Sequence, residues 1–362
     1  VTATCPASVL PLHRLREATA ETLALTAAAA AFIPTGIAAL IVFLLGDHQV
    51  AIYSVGMFAA IAAGVVAVLT YAAGRLVALR SAHIGPEISH RSRASLGFAI
   101  FETLAIGIAH GAIVWFITLL TSEMLAASFQ GAPVYAPEAA LIVGCAGALA
   151  AYTAFSSAVR MTTTLLSVVL ALFLVFGTTT AMLTASNKEW WKMNLSSLGT
   201  VWDVSGIAFN ATLIFSGVMV AAIARQATAP TDPARALTRG DSIVRWTLVV
   251  VGFFLACVGL VPVNVSIPIH NTVATGMAVV FCALVVALKW LMPTLPMAFI
   301  GLGWTFLAVI AVCGGLFALG YYNLTAVELV AAVAIFGWII VFLRVIGARQ
   351  ADAEATIATA SA

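Results

Sequence analysis

Residues 187–217 read NKEWWKMNLSSLGTVWDVSGIAFNATLIFSG, from Asn187 to Gly217. Only here do Trp, Lys, Glu, Asp, Asn and Ser gather beside long apolar runs. On both sides the chain reads as helix made for lipid. Of the 362 residues, 63% are hydrophobic and 8% charged, where a soluble domain carries about a quarter charged. Such a chain cannot hide its apolar side chains in one soluble core, and a bilayer is the expected solvent.

A spanning helix needs about 20 mostly apolar residues. Ten runs meet that length, at about 22–45, 51–75, 97–120, 138–158, 161–184, 204–224, 245–262, 269–289, 295–319 and 325–346. The first run is longer than the apolar core of a signal peptide and reads as a retained helix. Pro34 inside it predicts a kink whose freed carbonyl needs a neighbour. The segments 121–137, 81–94 (with His83, His90 and Gly85-Pro86) and 226–242 read as solvated connections.

Counting Lys and Arg in alternate loops gives the orientation. With the N-terminus inside, all of the 16 basic residues except Lys188 and Lys192 fall on the cytoplasmic side. The fold class expected is therefore all-α, a polytopic integral membrane bundle of about ten helices with both termini cytoplasmic. The cell membrane is the expected location. The net charge of +2, spread along the chain, argues against nucleic acid as a partner.

Several chemistries are disfavoured by residue type and spacing. Cys145, Cys257, Cys282 and Cys313 sit in apolar runs and Cys5 stands alone, with no CxxC and no Cys/His metal spacing. They read as small packing residues. His110 and His270 lie at different depths, so no haem iron fits between them, and two histidines do not supply a hydrolytic zinc site. No metal and no cofactor is expected. A Ser/His/Asp triad is writable from Ser196 or Ser197, His270 and Asp203, but no GxSxG elbow selects it. No catalytic motif is present, and a non-enzyme is the expectation.

Ionisable and amide side chains at membrane depth are costly, which makes each a functional candidate. Glu102 and His110 share the third run, eight residues and about 80° apart on the helix wheel. They read either as interhelical hydrogen-bond partners or as a proton relay of a secondary transporter. In the opening stretch, Trp190, Trp191 and Trp202 suit the headgroup level. Between them Leu195-Ser196-Ser197-Leu198-Gly199 is turn-like. Asp203 and Asn210 follow, seven residues apart and within about 20° of one helix face.

A second polar group, Pro262-Val263-Asn264-Val265-Ser266-Ile267-Pro268-Ile269-His270-Asn271, falls on the same side. Glu328 enters the tenth run from that side too. Ser196, Ser197, Gly199, Asp203, Asn210, Asn264, His270 and Glu328 are thus the candidate ligand-binding set, placed just below the outer headgroups. The alternative is a set of helix caps and interhelical bonds.

The Leu-Ser-x-Leu-Gly turn, the FNATLIFSG helix and the Pro-x-Asn turn before a His-opened helix resemble the membrane family called domain of unknown function 998. That family is itself similar to the eukaryotic FRAG/DRAM/SFK group. The resemblance covers about 161–349, and Asn264 departs from an acidic residue expected there. It implies a six-helix domain over 161–349, preceded by an added four-helix module over 22–158. A cytoplasmic segment 1–21 and a disordered cytoplasmic tail 350–362 complete the chain. Its implied direction is lipid handling, with membrane lipids as partners. A proton-coupled transporter, and a structural subunit bound to another membrane protein or to its own copy, are the other readings.

Overall fold

A backbone in hydrocarbon has to satisfy its own N–H and C=O groups, which only helices and closed barrels do. The computed structural model describes residues 17–46, 49–82, 93–228 and 238–360. Ten α-helices occupy them: α1 (Glu17–Leu45), α2 (Ile52–Ala82), α3 (Arg93–Ser128), α4 (Ala136–Val159), α5 (Thr163–Thr184), α6 (Val204–Ala227), α7 (Arg239–Leu260), α8 (Ile267–Leu291), α9 (Met297–Ala318) and α10 (Leu324–Ala360). Each of the ten is long and apolar enough to cross a membrane. The chain is an all-α bundle of the kind that a bilayer embeds.

Two strands, β1 (Gln49–Val50) and β2 (Val134–Tyr135), pair antiparallel, with Gln49 opposite Tyr135 and Val50 opposite Val134. They tie the α1–α2 connection to the α3–α4 connection. At the same end, Asn264 Nδ2 donates to the Thr200 carbonyl at 3.0 Å and Asn323 Nδ2 to the Trp191 carbonyl at 2.8 Å. Those bonds join the α7–α8 and α9–α10 turns to the α5–α6 linker. At the opposite end, Arg160 reaches Glu21 at 3.1 Å, Thr163 donates to Gln350 at 2.8 Å and Arg349 donates to Thr294 at 2.9 Å. Successive helices therefore run in alternate directions.

The helices α5 to α10 form a ring in which each packs on its sequence neighbours and α10 closes onto α5. The first four are arranged differently: α4 lies between α1 and α2, α2 packs on α3, and α3 docks onto α5 and α6. Lipid supplies no hydrophobic drive between helices, so close backbone approach matters. Gly217 of α6 and Gly252 of α7 provide it, because a Cβ on Gly217 would lie 2.3 Å from the Gly252 carbonyl oxygen. The ring interior is filled by aromatic side chains. Trp338 is fully buried, stacked on Phe342 with centroids 5.4 Å apart and edge-on to Phe281 at 5.4 Å.

Two sequence expectations change. Helix α3 continues to Ser128, so the first half of the segment 121–137 that reads as a loop is about two further helical turns. Helix α10 continues to Ala360, so residues 350–360 of the tail expected to be disordered are helical. Its Ala-rich composition, ADAEATIATA, has high intrinsic helix propensity and simply extends the helix already nucleated by the bundle. The turn with His83 and His90, residues 1–16 and most of the 226–242 connection lie outside the described residues.

Candidate functional site

The nineteen-residue linker between α5 and α6 folds back over the ring instead of crossing directly. Two 3₁₀ turns, Trp190–Lys192 and Leu195–Gly199, give it shape. A short 3₁₀ turn leaves backbone groups unpaired at both ends, and those groups must find partners. Here the partners are the polar side chains that the sequence singles out.

Asn210, two turns into α6, donates from Nδ2 to the Gly199 carbonyl at 2.9 Å. Gly199 has no room for a side chain, since a Cβ would meet Asn210 Oδ1 at 2.3 Å. The Ser197 hydroxyl donates within the turn, to the Asn194 carbonyl at 2.7 Å. The Glu328 carboxylate, from α10, accepts the Leu195 N–H and lies against the Ser196 N–H. Asn264 holds Thr200, as described above.

His270 is 4% exposed and uses both ring nitrogens. Nδ1 lies 2.8 Å from the Val261 carbonyl and Nε2 lies 3.1 Å from Ser196 Oγ. A carbonyl only accepts, so neutral His270 carries its proton on Nδ1 and Nε2 accepts the Ser196 hydroxyl. Ser196, Ser197, Gly199, Asn210, Asn264, His270 and Glu328 are thereby brought together around one turn.

Asp203 is not with them. It caps α6, accepting the Gly206 N–H at Oδ1 at 2.9 Å and the Ser186 hydroxyl at Oδ2. Burial pushes its carboxyl up, but the bonds from Ser186 and the Gly206 N–H outweigh this and hold it below the usual range. The shared helix face expected for Asp203 and Asn210 does not arise, because Asp203 precedes the first helical residue and its side chain turns back to the helix start. For the same reason the Ser/His/Asp triad is not assembled: Ser196 and His270 pair, and Asp203 is engaged elsewhere.

Asp203 instead lines a cleft of about 480 Å³ between the two halves of the bundle. Tyr53, Leu120 and Glu123 come from α2 and α3, Leu183 from α5, and Ser186 and Asp203 from the two ends of the linker. Among the described residues no Lys or Arg lines it. The Asp203 carboxylate meets the Ser186 hydroxyl and N–H, the Gly206 N–H and its own N–H within the protein, so what it offers the cleft is its negative charge. On the other flank of α3 a groove of about 720 Å³ runs between α2, α3 and α4, lined almost wholly by apolar side chains such as Val55, Leu125 and Leu141.

The tryptophans divide. Trp190 packs partly buried against the core, while Trp191 is 50% and Trp202 96% exposed at the linker end. Glu102 and His110 do not contact one another as a relay. The His110 ring is stacked on Tyr71 with centroids 4.6 Å apart, Nδ1 donates to the Ile106 carbonyl at 2.8 Å and Nε2 accepts from Ser157 at 2.8 Å. Glu102 Oε1 and the Tyr71 hydroxyl are buried without a hydrogen-bond partner.

Sequence reasoning misses Ser186, Glu123, Tyr53, Tyr71 and Ser157, which are ordinary residues of apolar runs or loops. Asn323 is missed too, although an Asn directly before an apolar run is a helix N-cap signal, and its Oδ1 accepts the Ala326 N–H at 3.0 Å. Among the described residues no group of three or more His, Cys, Asp or Glu is placed to hold a metal. Comparisons with protein-family models, with curated proteins and with solved structures find no match.

Proposed function

We propose that this chain is a multi-pass cell-membrane protein that binds a lipid at its linker end, in the cleft between α2/α3 and α5/α6. The observation that carries this reading is the composition of that cleft. Leu120, Leu183 and Met124 give it apolar walls, and Asp203 and Glu123 put carboxylates on the same lining, with no balancing cation among the described residues that line it. An amphiphile with an amine in its headgroup meets both requirements.

The uneven placement of basic residues supports an orientation with both termini cytoplasmic and the linker end outside. Kinship with the domain of unknown function 998 family, over 161–349, belongs to the same proposal. The ring of α5 to α10 is a six-helix unit compatible with it.

The test is lipid mass spectrometry of the protein purified in native nanodiscs. Leu183→Trp, at a residue 64% exposed and lining the cleft, fills the site without touching the core. The reading predicts that the variant loses an amine-headgroup lipid that wild type retains. Equal lipid content in both contradicts it.

A second reading, a proton-coupled transporter, is favoured by one observation, the unpaired buried oxygens of Glu102 and Tyr71. Such groups cost free energy and recur along ion paths. It predicts proton-coupled flux in vesicles that Glu102→Gln abolishes. The structural-subunit reading is supported by the linker's internal bonds, and it predicts that these substitutions change stability alone.

A further inference from the structure

The cap turn contains a pair of side chains with more chemistry than holding a loop requires. Ser196 sits half-buried on the Leu195–Gly199 turn, and its hydroxyl donates to His270 Nε2 at 3.1 Å. His270 is oriented in turn by the Val261 carbonyl, 2.8 Å from Nδ1. A nucleophile within reach of a base, and a base fixed by a third group, is the arrangement that activates a serine. The third group here is a backbone carbonyl, which sets the tautomer as a carboxylate would but adds no charge.

We infer that Ser196 is a nucleophile primed by His270 as general base, acting on an ester at the linker end of the bundle. As Oγ bonds to the ester carbonyl carbon, its proton passes to Nε2. The carbonyl–alkoxy bond then breaks, and the alcohol leaves with that proton. Water, deprotonated by the same nitrogen, releases the acid and restores the serine. The class of ester, an acyl lipid, rests on the lipid reading above. Glu328 occupies the Leu195 N–H and lies against the Ser196 N–H, so in this geometry those donors are not free for an oxyanion. Reactivity is therefore read by stoichiometric labelling rather than turnover.

The fold contains its own control. His110 and Ser157 form a similar pair at 2.8 Å, but within α3 and α4 and beneath the Tyr71 ring. The experiment is labelling of the full chain in nanodiscs with an alkyl fluorophosphonate, which bonds phosphorus to a reactive serine oxygen and expels fluoride with the serine proton. Intact mass and peptide mapping follow. One label per chain at Ser196 is expected, absent in Ser196→Ala and unchanged in Ser157→Ala. His270→Gln and His270→Asn, each read beside its melting curve, are expected to label about 100-fold slower or less.

No label under conditions that modify a known serine hydrolase, or a label that persists in Ser196→Ala, overturns the nucleophile. Labelling at the wild-type rate by a folded His270 variant overturns the base. A long-chain probe is expected to react at least tenfold faster than a short-chain one. Equal rates overturn the lipid-ester class and leave the nucleophile standing, whereas loss of the nucleophile with lipid retained in the cleft leaves the lipid reading standing.

Discussion

Asn210 and Gly199 are locked to each other from both sides. The amide of one donates to the carbonyl of the other at 2.9 Å, and the space where a Gly199 side chain would stand is filled by Asn210 Oδ1. Removing the amide leaves a half-buried carbonyl unpaired. Asn210→Leu is expected to cost about 1–3 kcal/mol, the penalty of an unmade buried hydrogen bond. Gly199→Ala is expected to cost at least as much. Thermal melts in detergent check both, and Asn210→Gln, whose longer amide misplaces the donor, should fall between wild type and Leu.

Asp203 links the start of α6 to Ser186. Its folded-state carboxyl is held below the ordinary value, so the ionised form binds its partners more tightly than in the unfolded chain. The sign follows: the contribution is fully present above the unfolded value of about 3.9 and is lost as pH falls through the folded value. Melting temperature is expected to drop more steeply below about pH 4 in wild type than in Asp203→Asn. Parallel profiles for the two proteins would contradict this assignment.

Gly217 and Gly252 face one another across α6 and α7 with no atoms to spare. Gly217→Leu forces the helices apart and opens the packed interface around Ala256 and Ala221. Overpacking of this kind costs about 1–3 kcal/mol or more. Gly314 and Gly315 in α9 meet nothing, so Gly315→Leu is expected to leave the melt within about 1 kcal/mol of wild type.

Much of the architecture is written in single-residue chemistry. Runs of apolar residues identify all ten helices, because a segment that must satisfy its own backbone in lipid has one choice. The helix ends are less legible. Helices α3 and α10 outrun their apolar segments, since a helix already formed continues through polar, Ala-rich chain at little cost. At the candidate site, the polar residues are legible by their cost at membrane depth, but their partners are not. Ser196 and His270 are 74 positions apart, and nothing local in either segment encodes the pairing. Asp203 is the converse: Asp followed three residues later by Gly206 at a helix start is a local cap, and the helix-wheel argument extends the helix one residue too far.

The pair of His110 and Ser157 offers a contrast within α3 and α4. Ser157→Ala leaves His110 Nε2 without its donor and is expected to destabilise by about 1–3 kcal/mol. Tyr71→Phe removes a buried hydroxyl that has no partner, and is expected to be neutral or stabilising. Guanidinium or thermal unfolding of the two variants side by side checks the ranking.

Binding of an amine-headgroup lipid between the two halves of the bundle is tested most directly by photocrosslinking. A diazirine-bearing lipid with an amine headgroup, incorporated in nanodiscs and mapped by peptide mass spectrometry, is expected to modify α3 near Leu120–Met124 and α5 near Leu183. An anionic analogue is expected to modify the same peptides several-fold less. Equal modification by both lipids, or crosslinks scattered over the outer faces of α1, α8 and α9, would contradict the account.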